Sequence, residues 1–297
     1  MTSARRHPNH RPAATLPPEL RRTSVPVPVR AWVGAELGSE VVAWRRLPGA
    51  STSAVHRLRL SDGRSVVLRR YVWRWVLEDE PEVFAREVEA LRFASTQGLP
   101  VPEVLAGDAT GTAVGDGIPA LITSFVPGHA VAVPDLADLA AVAISIHEID
   151  ASTFPYRYAP WYTGAITDAP EGATEPSLWL RALDIWHSRL PGDRFGLVHR
   201  DFHPGNVLWR RRRAHVVDWA SACSGPAGCD VAHCRDNLIF LGGFDVADEF
   251  LRLYTQLSGR EHDPFWEIAS VLEHSKFPPE RIAVSELRLR PAVAAYG

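Results

Sequence analysis

A chain of 297 residues, 46% of them apolar, is long enough for two lobes or one large domain and can fill a sizeable core. A formal net charge of −3 exerts no global pull toward nucleic acid, and three cysteines give no even framework for a disulfide-stapled secreted fold. With no run of about 18 apolar residues to span a membrane, the expectation is a soluble cytoplasmic protein without nucleic-acid or membrane partners; the oligomeric state is not readable.

Residues 1–30 carry six Arg against one Glu, a net +5 that leaves the remainder at −8. They also hold six Pro and almost no large apolar side chain, which predicts a disordered tail with no apolar core of a secretory signal. The first folded segment is expected from near Val29. Residues 41–47 and 54–60 read as short strands joined by Pro48-Gly49-Ala50-Ser51-Thr52-Ser53, and Asp62-Gly63 turns the chain into a third strand over 65–69. Residues 82–96 place Val83, Phe84, Val88, Leu91 and Phe93 at helical spacing before Gly98 and Pro100 end the run. Two more strand-like runs, 101–106 and 120–125, flank a Gly/Asp-rich hairpin at 108–117. Together these predict a small α+β lobe over 31–126 on an antiparallel sheet. After Val126-Pro127-Gly128 helices dominate 127–297, with patterns at 134–149, 177–190, 229–241, 246–257 and 264–274 and an irregular stretch at 150–175.

The chemistry concentrates at His199-Arg200-Asp201-Phe202-His203-Pro204-Gly205-Asn206, followed by Val216-Val217-Asp218-Trp219. Asp201 sits on a loop and can accept a proton from an attacking hydroxyl, while Asn206 and Asp218 offer oxygen ligands for Mg²⁺ against nucleotide phosphates. Strand-like runs at 207–209 and 215–217, turning at 210–213, fold Asp218 back beside Asn206. This pattern resembles the protein-kinase-like superfamily, and the local form His-x-Asp-x-His-x-Gly-Asn with Asp-Trp looks most like its aminoglycoside phosphotransferase and choline kinase branch. The resemblance implies a bilobal α+β fold with a small sheet lobe and a mainly helical one. It also implies ATP and Mg²⁺ as cofactors, Asp201 as catalytic base, Asn206 and Asp218 as metal ligands, and a small-molecule alcohol as phosphate acceptor.

On the nucleotide side, Ser51, Thr52 and Ser53 sit where hydroxyls and backbone N–H groups could meet phosphate oxygens. No P-loop signature occurs. Kinase-like proteins place Lys on the third strand; here Arg69 takes that position, with Arg70 as its rival and Glu87 as its partner. A single Lys, Lys276, stands against 31 Arg, so the substitution follows a chain-wide bias. Thr123-Ser124-Phe125-Val126-Pro127-Gly128 resembles the adenine-contacting hinge, with Ser124 and Val126 as backbone contacts. His199 is read as a loop brace, His203 as a γ-phosphate contact or a loop-shaping residue, and Asp230 as a helix cap that braces the loop.

Two other readings are open at this stage. His199, Asp201 and His203 could form the metal centre of a hydrolase, and Cys223, Cys229, His233 and Cys234 form a soft-ligand cluster without the paired C-x₂-C of zinc modules. A non-catalytic nucleotide-binding module of the same fold is the second. The basic turn at 210–213 reads as a solvated turn. Asp236, Asp245, Asp248, Glu249, Glu261, Asp263 and Glu267 could attract a cationic acceptor or simply face solvent. Trp219 in place of a Phe-Gly pair, and the short span to Gly225-Pro226, argue against a protein kinase.

Overall fold

The computed structural model describes residues 17–50, 52–161, 167–188, 195–273 and 277–297, except the side chains of Trp75 and Val76. In chain order the elements are α1 Pro18–Arg21, α2 Val27–Leu37, β1 Val41–Arg46, β2 Ala54–Leu60, β3 Ser65–Arg70, α3 Arg74–Asp79, α4 Val83–Thr96, β4 Val104–Asp108 and β5 Ala120–Ser124. They continue with α5 Leu136–His147, α6 Pro176–Ser188, β6 Phe195–Val198, β7 Val207–Arg210, β8 Arg213–Val216, β9 Cys223–Pro226, α7 Ala227–Gly242, α8 Phe244–Ser258, α9 Phe265–Leu272 and α10 Pro279–Ala294. Two compact units result: one runs to Val131 and takes in Gly205–Ser221, and the other comprises Ala132–Pro204 and Ala222–Gly297.

The first unit is built on a five-stranded sheet ordered β1-β2-β3-β5-β4, with every neighbouring pair antiparallel. Strand side chains alternate between faces, and β3 alternates half-buried and buried residues from Ser65 to Arg70. One face collects Leu58, Leu60, Val66, Leu68 and Ile122, onto which α2 lays Val29, Trp32 and Val33. The sequence expectation of a disordered tail through residue 30 is thereby corrected in its described part. Val25 and Val29 are buried in this core, and Pro28 stands in the first turn of α2, where its missing N–H is harmless. β7 and β8 form a separate hairpin in register Val207 to Val216.

The second unit is helical around one two-stranded ladder, β6 with β9. Its core joins Trp179, Leu183 and Ile185 of α6 to Phe265, Trp266, Ile268 and Leu272 of α9 and to Ile282 and Leu289 of α10. Gly228, in the first turn of α7, lies against Trp266 so closely that a Cβ would stand 2.0 Å from the indole Cδ1. α10 was not foreseen from the sequence because its buried face includes Glu286 and Arg288 beside Ile282, Leu289 and Ala292, which hides the apolar period. Among the described residues, no helix is long and apolar enough to cross a membrane.

Candidate active site

The pleat of β3 decides between the two candidate arginines. Arg70 shares the α2 face and pairs with Asp116, whereas Arg69 points to the opposite face, where α4 presents Glu87. Arg69 Nη1 lies 2.9 Å from Glu87 Oε2 and 2.6 Å from Asp218 Oδ1. Tyr71, two residues on and thus on the same face, donates its hydroxyl to Glu87 Oε2. Burial pushes the Glu87 carboxyl up, and the nearby Asp218 adds to this, while Arg69 and the Tyr71 hydroxyl oppose it. The Arg69 guanidinium is thus shared by two carboxylates and offsets their mutual repulsion.

Asp218 reaches this cluster because the β7–β8 hairpin returns the chain and Asp218 takes a left-handed backbone, φ 68°, which Asp tolerates better than most residues. The Val217 N–H donates to the Asn206 carbonyl at 2.9 Å, so Asn206 and Asp218 stand at the same end of the hairpin. The following 3₁₀ turn, Trp219–Ser221, is pinned twice: Trp219 Nε1 donates to the Val216 carbonyl, and Arg86 Nε of α4 donates to the Ala220 carbonyl at 2.5 Å.

Of the remaining nucleotide-side candidates, Ser51 lies outside the described residues, Thr52 is half-buried and Ser53 is buried just before β2. At Ser124 the N–H donates to the Glu103 carbonyl at 2.8 Å and the hydroxyl accepts the Glu103 N–H at 2.9 Å. The Ser124 N–H is thus engaged by the residue that leads into β4. Val126 follows β5 and is buried.

In the helical unit, Asp201 sits on the loop after β6, and that loop is held by α7. Asp230 is fully buried and accepts the His199 N–H at 2.7 Å and the Arg200 N–H at 2.6 Å, while His147 Nε2 lies 3.2 Å from it. Asp230 thus braces the loop as expected, although it makes no cap for its own helix, whose N-cap is Pro226. This bracing sustains the left-handed backbone of Arg200, φ 69°, a conformation costing about 1–3 kcal/mol for such a residue. The Arg200 side chain lies between Tyr158 and Trp161, 4.4 Å from each ring centroid.

His199 is buried, and its Nδ1 accepts the Asp201 N–H at 3.3 Å, so it shapes the loop as read from the sequence. That commitment removes it from the His-x-Asp-x-His metal centre. Among the described residues, no three His, Cys, Asp or Glu side chains are grouped to hold a metal ion. The three cysteines are free thiols, and burial pushes those of Cys229 and Cys234 well up.

Asp201 meets an unforeseen partner, His233 of α7, with Nε2 3.0 Å from Asp201 Oδ1. Burial alone would raise the Asp201 carboxyl. The hydrogen bond and charge of His233, with His203 and His199, outweigh it and hold the group well below the usual carboxylate range. A signal was present in the sequence: His233 follows Asp230 by three residues and so shares its side of a helix. Four of the seven acidic residues named after Asp230 are ion-paired. Asp236 pairs with Arg288 and Arg281, Glu267 with Arg288, Arg235 and His262, Asp248 with Arg235, and Glu249 with Arg252.

An antiparallel sheet unit carrying an Arg–Glu–Asp cluster, followed by a helical unit carrying an Asp on a braced loop, is the bilobal protein-kinase-like fold. Residues 43–266 match the phosphotransferase enzyme family, and the chain belongs to that family. No curated protein gives a significant match. Among solved structures, aminoglycoside phosphotransferase APH(4)-Ia is similar with a TM-score of 0.64 at 19% identity, over 91% of this chain and 99% of that one. A thermostable mutant of it was solved as a ternary complex with ADP and hygromycin B. Macrolide 2'-phosphotransferase MphH from Brachybacterium faecium gives 0.57 at 19% identity over 89% and 95% of the two chains. Amicoumacin kinase hAmiN, in complex with AMP-PNP, Ca²⁺ and Ami, gives 0.58 at 14% identity over 85% and 88%.

Proposed function

We propose that this protein transfers the γ-phosphate of ATP to a hydroxyl of a small molecule, with Asp201 accepting the hydroxyl proton. The observation that carries the reading is Arg69, which stands 2.9 Å from Glu87 and 2.6 Å from Asp218 on one face of the sheet. A third-strand cation paired with a helix carboxylate, beside a second carboxylate that can hold Mg²⁺, is the set that kinase-type phosphoryl transfer uses to order nucleotide phosphates. Family membership and similarity to enzymes solved with ADP or AMP-PNP support the same nucleotide. A cytoplasmic setting, where ATP is abundant, suits this chemistry.

The donor set fits Mg²⁺, because Asn206 and Asp218 offer an amide and a carboxylate oxygen at one end of the β7–β8 hairpin. When bound, Mg²⁺ would neutralise charge on the phosphate oxygens. In the transfer, the acceptor oxygen bonds to the γ-phosphorus as the bond to the β–γ bridging oxygen breaks. ADP leaves, and the hydroxyl proton passes to the Asp201 carboxylate and then to water. Asp201 is ionised across the neutral range, so it is ready to orient the hydroxyl and to take its proton late. The engagement of Asp236 and Glu267 by arginines leaves them unsuited to attracting a cationic acceptor.

ADP release from Mg²⁺-ATP, screened over hydroxyl-bearing antibiotics, amino alcohols and sugars, tests this. At least one acceptor is expected to raise release above background, and Asp201→Asn is expected to lower that release by about a hundredfold or more while ATP binding persists. Release unaffected by the substitution would sink the mechanism.

A further inference from the structure

α7 contributes two side chains to the loop that carries Asp201. Asp230, in its first turn, accepts the backbone N–H groups of His199 and Arg200. One turn later, His233 meets the carboxylate itself, with Nε2 3.0 Å from Asp201 Oδ1. His203 Nε2 is 3.9 Å from the same oxygen, beyond hydrogen-bond reach. The imidazole of His233 is steadied from outside the helix by Trp161, which meets it edge-on at 5.9 Å and 85°. One turn further along α7, Asn237 donates to the His233 carbonyl at 3.0 Å.

We propose that His233 is a positioning residue for phosphoryl transfer: its Nε2–H holds the Asp201 carboxylate in the orientation that meets the acceptor hydroxyl. This deepens the reading of the chain as a phosphotransferase and rests on it. Asp230 sets the path of the loop backbone, and His233 sets the carboxylate on that path. A single helix therefore carries both constraints, and a shift of α7 would move them together.

Among the described residues, few charged and titratable groups surround the imidazole. Asp201, His203 and His199 come from the loop, and Asp230 and Asp236 from α7 itself. Asp230 is committed to His147 and the two loop amides, and Asp236 to Arg288 and Arg281. Behind Trp161 stands Arg200, which is paired with Glu273 at 3.5 Å. Burial works against a charged imidazole, yet the hydrogen bond and charge of Asp201, with Asp236 and Asp230, overcome it and raise His233. The proton is thus retained into the neutral range and lost as pH rises, which gives the carboxylate a more basic character on the alkaline side.

Two measurements test the assignment. In steady-state kinetics, His233→Leu is expected to lower kcat by roughly ten- to a hundredfold with KM for ATP changed by less than about twofold. His233→Gln, which keeps a donor at similar reach without titrating, is expected to restore most of kcat and to flatten the step that wild type shows in its pH profile. Unchanged kcat in His233→Leu, or a pH step that survives in His233→Gln, would overturn the role. Independently of activity, ¹⁵N NMR titration of the imidazole is expected to show a lower His233 pKa in Asp201→Asn than in wild type, and identical titrations would overturn the contact. If wild type moves no phosphate while that titration still shifts, the phosphotransferase reading falls, and the positioning role with it, but the contact stands.

Discussion

Replacing Arg69 by Met removes the one guanidinium shared by Glu87 and Asp218 and leaves the hydrocarbon bulk of the side chain. The Glu87 side chain is 6% exposed and Asp218 31%, so Asp218 can recover hydration and Glu87 cannot. Breaking a buried ion pair by removing one partner costs about 3–5 kcal/mol, unless the orphaned carboxylate takes up a proton. Keeping a glutamyl carboxyl protonated at about pH 7, against an ordinary pKa of about 4.3, costs roughly 3.5 kcal/mol; at about pH 5 it costs about 1 kcal/mol. The protonated carboxyl still has the Tyr71 hydroxyl beside it. Protonation therefore caps the penalty and makes it depend on pH. A carboxyl whose pKa is raised in the folded state loses stability as pH rises above its unfolded value, so the variant should be hurt more at neutral pH. Urea unfolding of Arg69→Met is expected to show a loss of about 3 kcal/mol at about pH 7 and about 1 kcal/mol at about pH 5. Adding Glu87→Gln should recover most of the neutral-pH loss, and Arg69→Lys should fall between wild type and Met. Equal losses at the two pH values, or no recovery from Glu87→Gln, would refute Glu87 as the group that depends on Arg69.

Gly228→Ala would place a Cβ 2.0 Å from Trp266 Cδ1 and 2.4 Å from Nε1, inside a closed core, so a loss of at least about 3 kcal/mol is expected in denaturant midpoints. Arg288→Ala would strip buried Glu267 and Asp236 of a shared cation at 2.9 Å and 2.6 Å, costing about 3–5 kcal/mol. Burial tends to raise Glu267, but Arg288, His262 and Arg235 hold it well below the usual range. Its stabilising share is present above the unfolded carboxylate range and lost as pH falls. The deficit of the Arg288 variant relative to wild type, read from thermal midpoints, should therefore be largest at neutral pH and shrink as pH falls through the carboxylate range. Asp230→Asn keeps the shape but turns one acceptor into a donor against the loop amides, at 2.6 and 2.7 Å. Stability should fall by about 1–3 kcal/mol and phosphoryl transfer by more than about tenfold, read by unfolding and by ADP release.

Much of the sheet unit was legible locally. Strands β1, β2 and β3 and helix α4 were readable because an element half-buried on one side writes its period into the order of apolar residues, and β5 because a strand buried on both faces reads as a short apolar run. α2 was missed because Val-Pro-Val-Pro among arginines suggests a chain that cannot pack. Its burial depends on a sheet face supplied by residues 58–122, which no local window contains. α10 was missed for a related reason, since its buried Glu286 and Arg288 find their partners on segments far away in sequence.

The same division holds for the site. Sequence by itself named the groups expected to do chemistry, Asp201, Asn206 and Asp218, because their residue types and spacing on a loop and hairpin are local properties. It left Arg69 and Arg70 as rivals for one position, said nothing of what the Ser124 amide meets within the chain, and left Asp236 and Glu267 either to attract a cationic acceptor or to face solvent. Tertiary structure decided each of these, because a side chain's role depends on the face to which the pleat or helix turns it and on what meets it there. β3 turns Arg69 toward α4, the sheet edge takes the amide of Ser124, and arginines distant in sequence neutralise the acids. His233 reaches Asp201 across 32 residues of chain, a meeting that only the packing of α7 against the loop could produce.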